Sequence, residues 1–476
     1  MLKGYSEYKD VESNWINKIP ITWGFLPLQS QMEERKEKND RKQTKFILSL
    51  TAALGVIPYS EKKSGGNKAK EDITKYNIAM ENDLIVNCMN VVAGASGISK
   101  YYGAISPVYY ALHIRNENSN IKYWEYIFRN QKFYSSLVGL GNGILMKQSS
   151  SGKLNTVRKR IPMTKMNRVM LPVPPKSEQD KIVQFLDWKT SEMNRFIHQK
   201  KKQIKLLEEL KQVKISRIGT KGIKTDIVMK NSGLDWLGEI PTHWELVRVR
   251  NNYSLQNGIS ESGAFFDKGT PFVNYGDVYN NRILPREVKD VADSNEQQQR
   301  TFSVKKGDIF FTRTSETIEE IGIASVCLED IPQAVFSGFL IRARAKSNKL
   351  LAEYVGLYLQ SQSVRNYFTK EMNLVIRASL GQNLLKSLYI PVPPIDEQKE
   401  IVEYAKKIID KFEKTIANVK KEITLVEELR TKLISDVVTG QVDVRDVKIP
   451  TYETETDIMD SEDDTDEENL DESMEE

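Results

Sequence analysis

The sequence predicts an α+β protein: two mixed α/β globular modules joined by two long antiparallel coiled-coil-like helices, with an internal pseudo-two-fold repeat and a disordered acidic C-terminal tail. Three observations predict it. Leu171-Pro172-Val173-Pro174-Pro175 returns as Ile390-Pro391-Val392-Pro393-Pro394, an offset of 219 residues (171 to 390). Each copy runs into a long charged segment without Pro or Gly, and Glu178-Gln179, Ile182-Val183 and Glu208-Glu209-Leu210 map at the same offset, without a gap, onto Glu397-Gln398, Ile401-Val402 and Glu427-Glu428-Leu429. Trp15, Ile19-Pro20 and Trp23 match Trp236, Ile240-Pro241 and Trp244 near the start of each half. Such a period far exceeds the roughly 20–50 residues of a solenoid unit, so it marks a duplicated pair of modules.

Residues 1–175 form the first globular module, with strand-like runs such as Asp83-Leu84-Ile85-Val86, glycine-rich turns and a helical stretch from about Tyr123 to Leu137. Residues 176–222 form the first long helix. Ser177 follows two prolines and precedes Asp180 by three, a capping-box-like start, and Gly219 supplies a stop. Residues 223–394 form the second module, with strands at Phe272-Val273 and Asp308-Ile309-Phe310-Phe311 and turns at Asp267-Lys268-Gly269 and Lys306-Gly307. Residues 395–447 carry the second long helix, started at Asp396 and stopped at Gly440. Residues 448–476 are the acidic tail, too polar to bury a core and expected to be disordered.

Apolar residues recur along both helices at three- and four-residue steps. The first carries Ile182, Leu186, Met193, Phe196, Ile204, Leu207 and Leu210, interrupted by Lys189 and Lys200. The second carries Ile401, Ala405, Ile408, Phe412, Ile416, Val419, Ile423, Val426 and Leu433. A period near 3.5 with Lys and Glu on the flanks is what two packed helices require, with ordinary core packing as the alternative. Some 40 residues at ~1.5 Å each make a rod of about 60 Å.

Composition excludes several classes. No apolar run approaches the roughly 18 residues of a membrane span, and no basic-then-apolar leader pattern opens the chain, so a soluble cytoplasmic protein is expected. Only Cys88 and Cys327 are present, and His113, His198 and His243 are scattered, which argues against a disulfide frame or a metal cluster. Residues after Pro450 carry 14 carboxylates and no Lys or Arg, so the remainder of this +4 chain stands at +18. That asymmetry fits either a polyanion binder or a Lys-rich solvated surface.

An apolar-Pro-Pro stretch followed by Glu-Gln-x-x-Ile-Val and a long helix, present twice, resembles the conserved regions of type I restriction–modification specificity (S) subunits. The Trp-x-x-x-Ile-Pro-x-x-Trp landmark is similar to the start of their target recognition domains. Gly97, Ser99, Gly103, Ser106-Pro107 and Tyr109 look like one variety of such a domain; Gly269-Thr270-Pro271-Phe272-Val273 and Gly276-Asp277-Val278 look like another. The likeness extends to about residue 447, and the acidic tail departs from it. It implies that each globular module reads one half of a split double-stranded DNA site. It also implies that the helices set the gap and dock two methyltransferase (M) subunits, that restriction/translocase (R) subunits join them, and that the S subunit is not itself an enzyme. No cofactor or metal is expected. The residues agree on that last point: there is no phosphate loop, no Asn/Asp-Pro-Pro-Phe/Tyr signature, and Gly139-Leu140-Gly141-Asn142-Gly143 reads as a plain turn. A coiled-coil interaction scaffold without DNA binding, or a specificity subunit of another restriction architecture, remain alternatives.

Base edges and phosphates are met by Arg, Lys and small polar groups. The candidates are Lys62 and Lys63 beside Gly65-Gly66, then Arg158-Lys159-Arg160 at the first module's exit. Arg377, at the position of Arg158 in the second copy, joins them, as do Arg313 and Thr314 at a strand end. A solvated basic surface is the alternative for each, and Arg158 and Arg377 equally suit bracing of the helix root. Because the modules diverge outside their landmarks, two unlike half-sites are expected.

Overall fold

The structure, a computed structural model, describes residues 3–51, 54–62, 69–89, 95–141, 160–261, 268–315, 320–371 and 378–452. Lys63, Gly65-Gly66, Arg158, Lys159, Arg377 and nearly all of the acidic tail lie outside the described residues. The chain divides into two compact units, one made of residues up to Lys200 with those from Lys421 onward, the other of Lys201–Lys420. Each unit therefore takes part of both long helices.

In the first unit an antiparallel four-stranded sheet contains β1 (Met32–Glu34), β2 (Leu84–Asn87), β3 (Ser96–Ile98) and β4 (Tyr109–Ile114), in the order β1-β4-β2-β3. The helical stretch expected near Tyr123 is two helices, α1 (Ile121–Arg129) and α2 (Gln131–Ser136). Asn130 separates them, because its side chain accepts from the N–H groups of Lys132 and Phe133 and so starts a new helix. The first long helix, α3, spans Lys176–Lys221.

The second unit repeats the arrangement. Its strands β5 (Tyr253–Asn257), β6 (Ile309–Thr312), β7 (Ala324–Val326) and β8 (Leu340–Ala345) form an antiparallel sheet in the order β5-β8-β6-β7. Helices α4 (Ala352–Leu359) and α5 (Gln362–Glu371) follow, then α6 (Gln382–Ser387) and the second long helix α7 (Ile395–Val438). The units differ beside their sheets. The first has two-stranded pairs at 48–51 with 55–58 and 77–79 with 103–105; the second has a three-stranded sheet with one parallel pairing.

The proline-rich runs are strands. Met170–Val173 pairs antiparallel with Gly24–Pro27, and Tyr389–Val392 pairs with Glu245–Arg248. Each run therefore ties a long-helix start to the segment just after the second landmark tryptophan. At the start of α3 the Pro175 carbonyl accepts from the N–H groups of Glu178 and Gln179. The capping box expected at Ser177 does not form, since Asp180 turns to Lys176 and Asn120.

The Glu-Gln pair explains why the start repeats. Gln179 is 1% exposed; its Oε1 accepts from the Asn120 N–H at 2.9 Å, the N-cap of α1, and its Nε2 donates to the Pro174 carbonyl at 2.9 Å. Gln398 is fully buried; it accepts from the Leu351 N–H at 2.8 Å, the N-cap of α4, and donates to the carbonyls of Pro393 and Lys349. Glu178 accepts from the Tyr5 hydroxyl, and Glu397 from Trp244 Nε1 at 3.2 Å, with His243 Nε2 at 2.8 Å. One hydroxyl completes each knot. Tyr123 reaches the carbonyls of Pro172 and Val438, and Tyr354 those of Pro391 and Gly219.

Gly219 does not stop the first helix. It is a helical residue against which the Tyr358 backbone packs, so closely that a Cβ there would lie 3.1 Å from Tyr358 Cα. The stop is Gly222 at φ +75°, a left-handed conformation that favours glycine. Gly440, at φ +72°, ends α7.

Ile182 and Leu186 are buried in the first unit's core and Ile401 and Ala405 in the second's. Along α3, Met193, Ile204 and Leu207 are half-buried, whereas Phe196 and Leu210 are 37% and 47% exposed and lie off the seam. Ile197 and Ile215 bury in their place. Along α7, Ile416, Val419 and Ile423 are buried, and Ile408, Phe412, Val426 and Leu433 are half-buried. In the first unit Arg430 donates to Asn194 and Lys200 pairs with Glu422 at 2.8 Å; in the second Lys211 lies 4.0 Å from Glu413. Numbers rise on one helix as they fall on the other. The 219-residue shift also carries Asn194 onto Glu413 and Lys211 onto Arg430.

Replacing Gln398 with Ala should destabilise the second unit by about 2–4 kcal/mol, since several buried groups lose their partners together. Gln203→Ala on the exposed helix surface should stay within about 0.5 kcal/mol. Urea unfolding of the two variants checks this, and equal midpoints would exclude a structural role for the buried glutamine.

Candidate nucleic-acid interface

One end of the second unit's sheet gathers polar groups. Gly258 follows β5, and a Cβ there would lie 2.2 Å from the Phe336 carbonyl oxygen and 2.3 Å from that of Ser337. Only glycine permits this approach, which brings Asn257 beside the turn that leads into β8. At the tip of that turn Phe339 is 60% exposed. Arg313, just past β6, donates from its backbone N–H to the Phe339 carbonyl at 2.9 Å and from Nη1 to the Gly338 carbonyl at 3.3 Å. Thr314 continues into a short antiparallel pairing with Ser379. Gln382, the first residue of α6, donates from Nε2 to Asn257 Oδ1 at 2.9 Å. The structure thus brings the predicted Arg313 and Thr314 together with Asn257, Phe339 and Gln382, which sequence reasoning missed. No local motif announces them, because Asn257 and Gln382 are distant in sequence.

Other arginines of this sheet are structural. Asp308 is 1% exposed and accepts twice from Arg344 at 2.6 Å. Arg342 donates to the Ser303 carbonyl and to Gln256, and burial, then the neighbouring Arg344 charge, pushes it down to about 10. It stays cationic at neutral pH, but it serves the fold. In the first unit Asp83 holds the equivalent place and is met by Arg35 at 2.8 and 3.0 Å.

The first unit presents a different surface. Phe46 and Tyr101 are 41% and 37% exposed, with ring centroids 5.7 Å apart edge to face. Tyr102, also exposed, donates to Gln43, and the flanking Lys45 and Lys100 are exposed. Basic groups among exposed aromatic rings suit a phosphate backbone and its bases. Lys62 is half-buried, its ammonium 5.8 Å from the Tyr59 ring centroid. Arg160 is exposed but tied at its base: a hydrogen bond to Tyr110, then the nearby Cys88, raise its pKa above the ordinary value. Tyr110 and Cys88 belong to the core, so the exposed Arg160 lies at the edge of the module's core.

A second exposed feature repeats. Leu206 and Leu210 on α3 are 58% and 47% exposed; Leu425 and Leu429 on α7, at the 219-residue offset, are each 54% exposed. Glu208-Glu209 and Glu427-Glu428 accompany them. Among the described residues no group of three or more His, Cys, Asp or Glu could hold a metal ion, and no helix is long and apolar enough to cross a membrane.

With this geometry in hand, the similarities to known proteins fall into one pattern. The type I restriction modification DNA specificity domain matches residues 35–206 and 245–428, one match per repeat. The putative type I restriction enzyme MjaX specificity subunit of Methanocaldococcus jannaschii is 23% identical over 468 residues, 94% of this chain and 99% of its own. The type I restriction enzyme MjaVIII specificity subunit of the same organism is 25% identical over 324 residues, 66% of this chain and 70% of its own. Among solved structures, a chain from work on complex assembly and conformational transition of the type I R-M system superposes with a TM-score of 0.62 at 13% identity. It covers 89% of this chain and 99% of its own, a likeness of fold.

If Lys45 and Lys100 meet phosphate, each change to Ala should weaken duplex binding across all sequences and flatten the plot of log affinity against log salt by about one unit. Fluorescence anisotropy over a salt series measures both effects. A double variant with the wild-type slope would remove this patch from the interface.

Proposed function

Since the chain belongs to the type I restriction modification DNA specificity family, we propose that it is the subunit that reads a split, asymmetric double-stranded DNA site for a type I restriction–modification complex. Each unit takes one half-site, and the two long helices pair antiparallel as a spacer that fixes the gap. The observation that carries this reading is the uneven fidelity of the repeat. The helix starts and the glutamines with their proline carbonyls recur at one offset, and the other knot partners recur in kind, while the exposed aromatic residues Tyr101 and Phe339 do not. A repeated frame with unlike ends suits one kind of partner bound twice and two different half-sites.

In this reading the helices dock two methyltransferase subunits, with restriction subunits added to that assembly, and the chain leaves group transfer to them. The paired leucines support two-fold docking, because an apolar pair flanked by the same two glutamates would meet the same surface on each copy. The relatives named above are specificity subunits of type I restriction enzymes, which supports the same assignment.

Co-expression with the methyltransferase of the same system, followed by methylation mapping of host DNA, tests the function. A motif of two unlike halves is expected, and no methylated split motif would overturn it. Inserting one helical turn, about 5.4 Å, into both long helices should lengthen the tolerated gap by about one or two base pairs; an unchanged gap rejects the spacer. Leu206→Asp with Leu210→Asp should leave a complex holding one methyltransferase, as should Leu425→Asp with Leu429→Asp, and native mass spectrometry counts the copies. Two copies retained in both variants would place docking elsewhere.

A further inference from the structure

We propose that Asn257, Gln382 and Phe339 together read one A·T base pair within the half-site taken by the second unit. This rests on the DNA-reading role above and assigns a recognition element within it.

The hydrogen bond from Gln382 Nε2 to Asn257 Oδ1 uses one donor and one acceptor of the two amides. Among the described residues nothing else engages them, so Asn257 Nδ2 and Gln382 Oε1 remain as one donor and one acceptor on joined side chains. Adenine offers the complement in the major groove, with N7 as acceptor and N6 as donor. Guanine offers acceptors at both N7 and O6, and its O6 would face the Gln382 oxygen. The pair therefore favours adenine by attraction and rejects guanine by repulsion.

Phe339 supplies an apolar group at the same end. Phe310, Phe336 and Phe368 are fully buried, whereas Phe339 is 60% exposed. An exposed ring beside an adenine-reading pair fits the C5-methyl of the paired thymine. The platform is rigid. Gly258 and Gly338 close against opposing backbone and Ser260, and Arg313 holds the turn through the carbonyls of Gly338 and Phe339. Arg313 is then a positioning residue, and preorganisation lets small polar groups discriminate.

The test maps the methylated motif of the full complex with wild-type chain and with Gln382→Glu. The variant keeps its shape but replaces an amide by a charged acceptor. Wild type should require A·T at one position of one half-site, and the variant should lose about ten- to a hundredfold of that preference there. The other half-site should read as before, which reports that the chain is folded. An identical motif in the variant overturns the assignment, as does a change confined to the other half. A duplex with deoxyuridine in place of that thymine needs no variant on the wild-type side. It should bind wild type a fewfold more weakly than the thymine duplex, and Phe339→Ala should bind both alike; equal binding by wild type overturns the Phe339 contact. If the wild-type complex leaves no split motif, the underlying function fails; if it leaves one that Gln382→Glu does not alter, only this inference fails.

Discussion

Everything in each unit hangs on one buried glutamine at the start of a long helix. An amide taken out of water must find partners for its donors and acceptor, at a penalty of about 1–3 kcal/mol for each one left unmade. Gln179 and Gln398 meet that demand with backbone from a proline strand and from the N-cap of a neighbouring helix. The Tyr123 or Tyr354 hydroxyl adds the end of the other long helix. Asparagine would be too short to span these groups, and a glutamate would bury a charge opposite carbonyl oxygens. The knot thus dictates its own sequence, which is why Glu-Gln recurs without a gap while its surroundings drift.

Drift is permitted wherever the physics, and not the residue, must be kept. Asp83 and Asp308 occupy equivalent strand starts and are both almost fully buried. A carboxylate so placed requires a fork of donors, and each obtains one from an arginine. Arg35 lies just past the edge strand β1, whereas Arg344 lies on the central strand β8. The charge is neutralised either way, from different places in the chain. The flanking strands vary further, as two-stranded pairs in one unit and a three-stranded sheet in the other.

This explains what was legible beforehand. The long helices and their proline starts were readable because they repeat at a fixed offset and because proline and glycine punctuate them, and the tryptophan landmarks because their own spacing is the same in both halves. The seam was less so: Phe196 and Ile197 are adjacent and apolar, and only packing decides that Ile197 buries. Gly219 resembled a stop, yet its missing side chain serves the close approach of Tyr358, and Gly222 ends the helix three residues later. Among interface candidates, a search for basic residues found Arg313 but not the amides beside it. The Gln382–Asn257 bond joins residues 125 apart, and nothing local in either segment marks them. Arg160, a basic residue at the first module's exit, also meets the core tyrosine Tyr110, a contact that the sequence around it does not mark.

The exposed apolar side chains sort into two kinds by the same offset. Leu206 and Leu210 have counterparts in Leu425 and Leu429, whereas the same shift relates Phe339 to Asn120 and Tyr101 to Glu320, both polar and half-buried. A large apolar group left in water gains little unless something covers it, and a group that recurs in one register suits a cover that recurs too. One that appears once suits a surface met once. On the proposed function, the leucines belong to the common partners and the aromatic residues to DNA halves that differ. Changing a half-site then asks only for new side chains at a sheet end, because the polar knot holding that end to the helices lies elsewhere and is left intact.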